Sequence, residues 1–423
     1  MKQHTLGLWL GGVLFGLFSS VVQAESWTLE QTLTEAQRYS AELSASRNEA
    51  QALDAMADSA TQLPDPKLKF GIENVPVQGN NDRRLTREGM TMQKIGIMQS
   101  YISSEKRERK AQTFQAQARG VLAKSEAIRA VLQRDTAQAW LDLALAQQAL
   151  NAARTLVSET EHQRGVQKAS VGAGSSAPDS VLALQMTLSA MRDKETLAQR
   201  DVQLAQSRLL QLTGQAIPDV RGPLPRYQRL PADEKTLEEG ITRHPEVEAA
   251  RREAETAKAR SAHSEVAAIP DVDVEVFYAH RAEGYDDMAG VMFSVDLPIF
   301  QSKRQDKDYA ADVSRSMQAV DQLTLIKREH IAQVQTLVAQ YQAAQTLWQR
   351  QRDEVLPLQR QRLDVLTAQY RSGQSDLPTL LEARRGVLDT ELAVNQAERE
   401  MARTWAAVRS EEHTSELQSR LHL

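Results

Sequence analysis

Residues 370–384 read YRSGQSDLPTLLEAR, and residues 171–185 read VGAGSSAPDSVLALQ. With Tyr370 placed on Val171, Gly373 falls on Gly174, Leu380 and Leu381 on Val181 and Leu182, and Arg384 on Gln185. Both stretches read as a glycine turn that leads into a helix. Other landmarks pair at nearly the same interval. Leu63-Pro64-Asp65 is matched by Ile269-Pro270-Asp271, and SEKR (104–107) by QSKR (301–304). Pro64 and Pro270 stand 206 residues apart, Ser104 and Gln301 197, and Val171 and Tyr370 199. Three agreeing intervals make the chain a duplication.

Each half carries the same order of elements. Apolar residues and alanines at three- and four-residue steps predict helix over 27–63, 105–168 and 179–212 in the first half. In the second half the pattern returns over 237–268, 303–371 and 377–408. Between the first and second helix of each half the period changes to two. Leu68, Phe70 and Ile72 alternate with polar residues, as do Val272, Val274, Val276 and Tyr278. Strands are therefore expected at about 67–76, 90–102, 272–280 and 289–298. The repeats span 25–217 and 236–408, joined by a proline-rich connector at 218–235. The fold class is mainly α with a small β part.

The N-terminal stretch, 1–24, has a basic Lys2, an apolar run and a small-x-small site at Val22-Gln23-Ala24, which is a cleaved export signal. No later apolar run approaches 18 residues, so no transmembrane helix is expected. The net charge of −5 gives no reason to expect a nucleic-acid partner. Absence of cysteine excludes a thiolate site and a lipid on an N-terminal cysteine. At the other end, RSEEHTSELQS (409–419) resembles a translated sequencing adapter. Residues 409–423 are therefore expected to be no part of the evolved chain, and they carry no functional reading.

A helix of some 65 residues is roughly 100 Å long. Its neighbours must be other long helices, because an apolar stripe cannot stay in water. Four strands cannot close a barrel, and lipid does not tolerate an open sheet edge. Three copies pooling their strands make twelve, a pore-sized barrel. The alternatives are a soluble coiled-coil rod or adaptor, with the strands as a small soluble cap.

This order of elements resembles the TolC family of outer-membrane efflux proteins over residues 25–408. The matching residues are LPDP (63–66), IPD (269–271), DLPIF before QSKR (296–304) and YRSGQSDLPTLLEAR. The resemblance implies a homotrimer with a 12-stranded outer-membrane β-barrel on a long periplasmic α-helical barrel. It also implies outer-membrane lipid as surroundings, a periplasmic adaptor (membrane fusion protein) and an inner-membrane pump of the resistance-nodulation-division type. QLPDPKLKFGIENVPVQG (62–79) and MTMQKIGIMQ (90–99) are similar to the CzcC/CusC-like branch, which serves heavy-metal cation efflux. Drug or protein-secretion ducts of the same fold are the alternative. By this resemblance Gly172, Gly174, Ser175, Tyr370, Ser372 and Gly373 lie at periplasmic tips that dock the adaptor. Glu382, with Asp376, falls where relatives carry an acidic pore constriction.

No catalytic signature is present, so neither an enzyme nor a cofactor is expected. The eight histidines are scattered in sequence. Met90, Met92 and Met98 stand at even-numbered steps and so share one strand face; soft-metal contact is one use for them, and packing or lipid contact is the expected one. Arg83, Arg84 and Arg87 fall in one polar loop, and Asp286, Asp287 and Met288 in another.

Overall fold

The computed structural model describes residues 26–412 apart from 86, 173–178 and 283. The signal stretch and the end of the tail lie outside these residues. The first half runs α1 (Leu29–Tyr39), α2 (Ala41–Ala60), β1 (Lys67–Glu73), β2 (Met92–Tyr101), α3 (Ser104–Gly172) and α4 (Asp179–Thr213). The second half runs α5 (Glu234–Gly240), α6 (Pro245–Glu265), β3 (Val272–Arg281), β4 (Met288–Val295), α7 (Gln305–Arg350), α8 (Leu356–Arg371) and α9 (Leu377–Glu412). The duplication holds element for element. Four of the eight strand ends fall short of expectation, β3 and β4 each gain one residue at one end, and Met288 opens β4 instead of closing a loop.

Three helices expected to be continuous are interrupted. The first breaks at Ser40, whose N–H closes α1 on Ala36 while its hydroxyl accepts from the Leu43 N–H at 3.3 Å. One serine thus ends one helix and caps the next. Its counterpart in the second half is His244, held extended (ψ 137°) by the Pro245 that follows. The third break is a π turn at 351–355 between α7 and α8. Pro357 has no N–H to donate back along the helix, and the widened turn absorbs the missing bond. The last helix runs four residues past the expected 408.

Antiparallel pairing gives one four-stranded sheet in the order β1-β2-β3-β4. The β2–β3 pair joins the two repeats, with Met98 opposite Glu275 and Ile97 opposite Val276. Lys69 of the first repeat reaches Glu275 of the second at 2.7 Å. The outer strands β1 and β4 each have one unpaired edge within the chain.

The main core lies where the long helices pass the connector. Trp140, Leu141, Leu143 and Leu145 of α3 pack with Tyr341 and Trp348 of α7 and with Met401 and Trp405 of α9. Aromatic hydrogen bonds fix the extended segments onto these helices. Trp140 donates to the Trp27 carbonyl at 3.0 Å, Trp405 to that of Arg229 at 3.0 Å, and Tyr341 to that of Tyr227 at 2.8 Å. Burial pushes the Tyr341 hydroxyl up to about 12, so it stays a donor at any physiological pH.

Trp140 is 1 % exposed, so Trp140→Ala removes both packing and the Trp27 anchor. A loss of about 3–5 kcal/mol is expected. Denaturant unfolding of the purified protein measures it, with Trp140→Phe expected to lose less.

Candidate functional site

At the far end of the second helical hairpin, α8 stops on a Schellman turn. The Gln374 N–H bonds the Gln369 carbonyl at 2.8 Å and the Gly373 N–H bonds that of Tyr370 at 3.1 Å. This closure needs a left-handed residue, and Gly373 supplies it at φ +74°. Nothing lies within 4 Å of where its Cβ would be, so the backbone angle alone demands glycine. Asp376 then accepts from the Thr379 N–H at 3.0 Å and caps α9. That hydrogen bond holds its carboxyl below the ordinary range. Ser372 turns back onto the Gln369 carbonyl at 3.0 Å and is exposed.

Of the residues expected at the first tip, Gly172 is the last residue of α3, and Gly174 and Ser175 lie outside the described residues. The two hairpins nevertheless meet close to this end. Tyr370 donates to the Gln167 carbonyl oxygen at 2.9 Å, and the Gln167 amide donates to the Ser180 hydroxyl at 2.7 Å. Gln167 is 3 % exposed, so its amide is committed to this chain of bonds. Below them Leu184, Leu188, Leu377, Leu380 and Leu381 form a small core. Gln167 could not be singled out from sequence, because a glutamine on a long Gln-rich helix has no distinguishing neighbour. Glu382 sits one turn into α9 and is exposed in the single chain.

Between α3, α4 and α9 runs a charged groove of about 390 Å³. Arg403 grips Asp142 with two bonds of 2.7 and 2.8 Å, and Arg399 reaches Asp201 at 2.9 Å. Lys194 pairs with Asp389 at the tip-ward side. These pairs tie the second repeat's last helix to the first repeat's hairpin.

The sheet has two unlike faces. Directly paired residues share a face, so Leu68, Phe70, Ile72, Ile95, Ile97, Val274, Val276, Tyr278, Val291 and Phe293 stand together. This side is open, with Phe70 83 % and Phe293 67 % exposed. The opposite face carries the charges, and Glu275 lies there between Lys69 and Lys94 at 2.7 and 3.0 Å. An apolar face exposed over four strands is the pattern of a lipid-facing wall. Met92 and Met98 share the charged face.

Residues 236–410 match the family model described as "Outer membrane efflux protein". The fold agrees across nearly the whole chain. A CusC structure, described as a study of folding and transmembrane channel formation, superposes with a TM-score of 0.74 at 16 % identity, covering 92 % of this chain and 95 % of that one. A membrane protein from Pseudomonas aeruginosa superposes with a TM-score of 0.77 at 16 % identity, covering 91 % and 93 %. The second repeat thus matches the outer-membrane efflux protein family, and the whole chain has the fold of these channels. The open-state MtrE channel of Neisseria gonorrhoeae adds a TM-score of 0.74 at 14 % identity, covering 91 % and 88 %. No curated protein matches the chain by sequence. The shared TolC-type architecture is a small antiparallel sheet carried on long helical hairpins. Among the described residues no helix is long and apolar enough to cross a membrane.

One buried titratable cluster escaped the sequence reading, and one of its members, Glu411, lies in the 409–423 stretch expected to be no part of the evolved chain. His244 and His330 stack at 4.1 Å between ring centroids, with Glu411 and Glu246 beside them. Donor atoms of His244, His330 and Glu411 lie within 4.8 Å of one another, a spacing that could hold a metal ion. The hydrogen bonds favour a proton instead. His330 faces Glu411 through Nδ1 at 2.9 Å and Glu246 through Nε2 at 3.1 Å. Burial opposes its charge, yet the two carboxylates outweigh burial and raise it to about 9. A raised histidine stabilises the fold fully below its ordinary 6.5, and that contribution is lost as pH rises through about 9. The melting-temperature gap between the wild type and His330→Gln is therefore expected to be constant below pH 6.5 and to shrink toward pH 9. A pH-independent gap would show that the proton is not what holds this cluster.

Proposed function

We propose that the chain is the outer-membrane exit duct of a tripartite efflux system that exports heavy-metal cations. The observation that carries the duct is the sheet, with one apolar exposed face, one charged face and two open edges. Three copies joined edge to edge give the twelve-stranded barrel, with the apolar face to outer-membrane lipid and the charged face to the lumen. The helical hairpins then extend into the periplasm. There the tips around Gly373 and Tyr370 meet a periplasmic adaptor coupled to an inner-membrane pump of the resistance-nodulation-division type. Glu382 and Asp376 of three subunits ring the axis at this end, where carboxylates favour cations. The metal assignment rests on the resemblance of QLPDPKLKFGIENVPVQG (62–79) and MTMQKIGIMQ (90–99) to the heavy-metal branch.

Deletion of the gene is expected to lower tolerance of at least one metal among copper, silver, zinc, cobalt and cadmium, leaving a drug panel unchanged. Lost drug tolerance with unchanged metal tolerance would move the substrate to drugs.

Docking is tested at the turn. A β-branched residue at the Gly373 angle costs about 1–2 kcal/mol locally, little beside a large assembly. Gly373→Val is expected to leave the outer-membrane yield intact while efflux falls, together with crosslinking of Ser372→Cys to an adaptor cysteine. The chain has no native cysteine to confuse the readout. Normal crosslinking and efflux in Gly373→Val would mean that the turn only reverses the chain.

A further inference from the structure

The charged face of the sheet has a second property that its charges do not require. Within the four strands, every branched aliphatic residue (Leu68, Ile72, Ile95, Ile97 and the valines of β3 and β4) stands on the lipid-type face. Every methionine, namely Met92, Met98, Met288 and Met292, stands on the charged face. Plain hydrophobic demand does not sort side chains this way, because methionine serves a lipid or core position about as well as leucine. What distinguishes methionine is its thioether, a soft and polarisable donor.

The placement puts two of these sulfurs around one carboxylate. Met98, Glu275 and Met292 form one row across β2, β3 and β4. Neighbouring strands lie about 4.8 Å apart, so Met98 and Met292 flank Glu275 at about 10 Å from each other. Met292 is 47 % exposed and Met288 49 %, so both sulfurs face open space. Met288 pairs with Ala279 two same-face steps nearer the outer loops, and Met92 with Arg281 three steps nearer.

The charges on this face decide which cation such a wall could take. Lys67, Lys69, Lys94 and Arg281 stand against Glu73, Asp273 and Glu275. The acids are already engaged. Glu275 holds Lys69 and Lys94, Glu73 holds Lys94 at 3.5 Å, and Asp273 accepts from the Ser100 hydroxyl. A hard divalent cation finds no uncommitted carboxylate here and meets a slight excess of positive charge. A soft cation bound through sulfur depends less on that field, and single charge keeps its repulsion smallest.

We propose that Met92, Met98, Met288 and Met292 form a thioether-lined wall in the lumen that binds soft monovalent metal cations in transit. The proposal rests on the exit-duct reading above, since three copies would bring twelve thioethers to one lumen. It narrows that reading to a substrate class. No bond is broken and no electron moves; the cation exchanges water or another carrier for sulfur and leaves the same way. Weak, repeated sites suit passage, because a tight site would hold its cargo.

The test uses the purified full-length protein in detergent, with silver(I) as the probe and zinc(II) as the hard comparison. The four methionines are changed together to leucine, a substitution of similar volume that keeps the wall apolar and the fold intact. The absence of cysteine removes thiol competition. Titration calorimetry is expected to show silver binding to the wild type and at least about a tenfold loss of affinity in the leucine variant. Zinc is expected to behave alike with both. In a deletion strain, the wild-type gene is expected to restore silver tolerance and the variant to fall short. Equal silver binding by both proteins would overturn the proposal. Equal restoration of silver tolerance, in a strain whose deletion does sensitise it to metals, would overturn it while the exit-duct reading stands. A deletion without effect on any metal would instead contradict the metal reading itself, and the calorimetry would still decide on the sulfurs.

Discussion

Two unpaired sheet edges govern the rest of this molecule. The outward-facing backbone N–H and C=O groups along β1 and β4 have no strand partner within the chain, while the face between these edges is apolar and open. In water such a sheet would aggregate, and in lipid each unpaired group would cost several kcal/mol. Only copies of the same chain offer strands of matching length and character. The duplication is what makes the pairing regular. Each repeat brings one hairpin of strands, the β2–β3 pair fuses them in register, and Lys69 of β1 reaches across β2 to Glu275 of β3.

The helices transmit that constraint over a long distance. Each hairpin is anchored in the aromatic core around Trp140, Tyr341 and Trp405, where indole and phenol groups hold the connector by its carbonyls. From there the second hairpin extends to the Gly373 turn, and among the described residues few bonds join the hairpins near that end. The Tyr370–Gln167–Ser180 chain is one such bond, and the groove pairs of Arg399 and Arg403 lie nearer the core.

Much of this was legible in the sequence because repetition doubles every signal. The switch from a period of three to four residues to a period of two located all four strands to within a few residues. The proline stops and the glycine turn appeared twice, at matching intervals. What stayed hidden has physical reasons. The break at Ser40 depends on one hydroxyl capping the next helix, and an isolated serine in a helical pattern does not announce that. The π turn at 351–355 had Pro357 as its signal, but an apolar pattern on both sides hid it. At the candidate site, Gly373 and Asp376 were readable from turn chemistry, whereas Gln167 was not. The even spacing of Met92 and Met98 placed them on one face correctly. Which face that was depended on pairing with Glu275 and Arg281, some 180 residues away, and only the register shows it.

The central claim is that the sheet is completed by identical chains, and mass measures it most directly. Native mass spectrometry of the protein extracted from outer membranes in mild detergent is expected to give a single species of three times the mass of one mature chain, that is, the 47.2 kDa chain less its export signal. A folded species of one chain, stable in detergent or recovered from the soluble periplasm, would contradict the account.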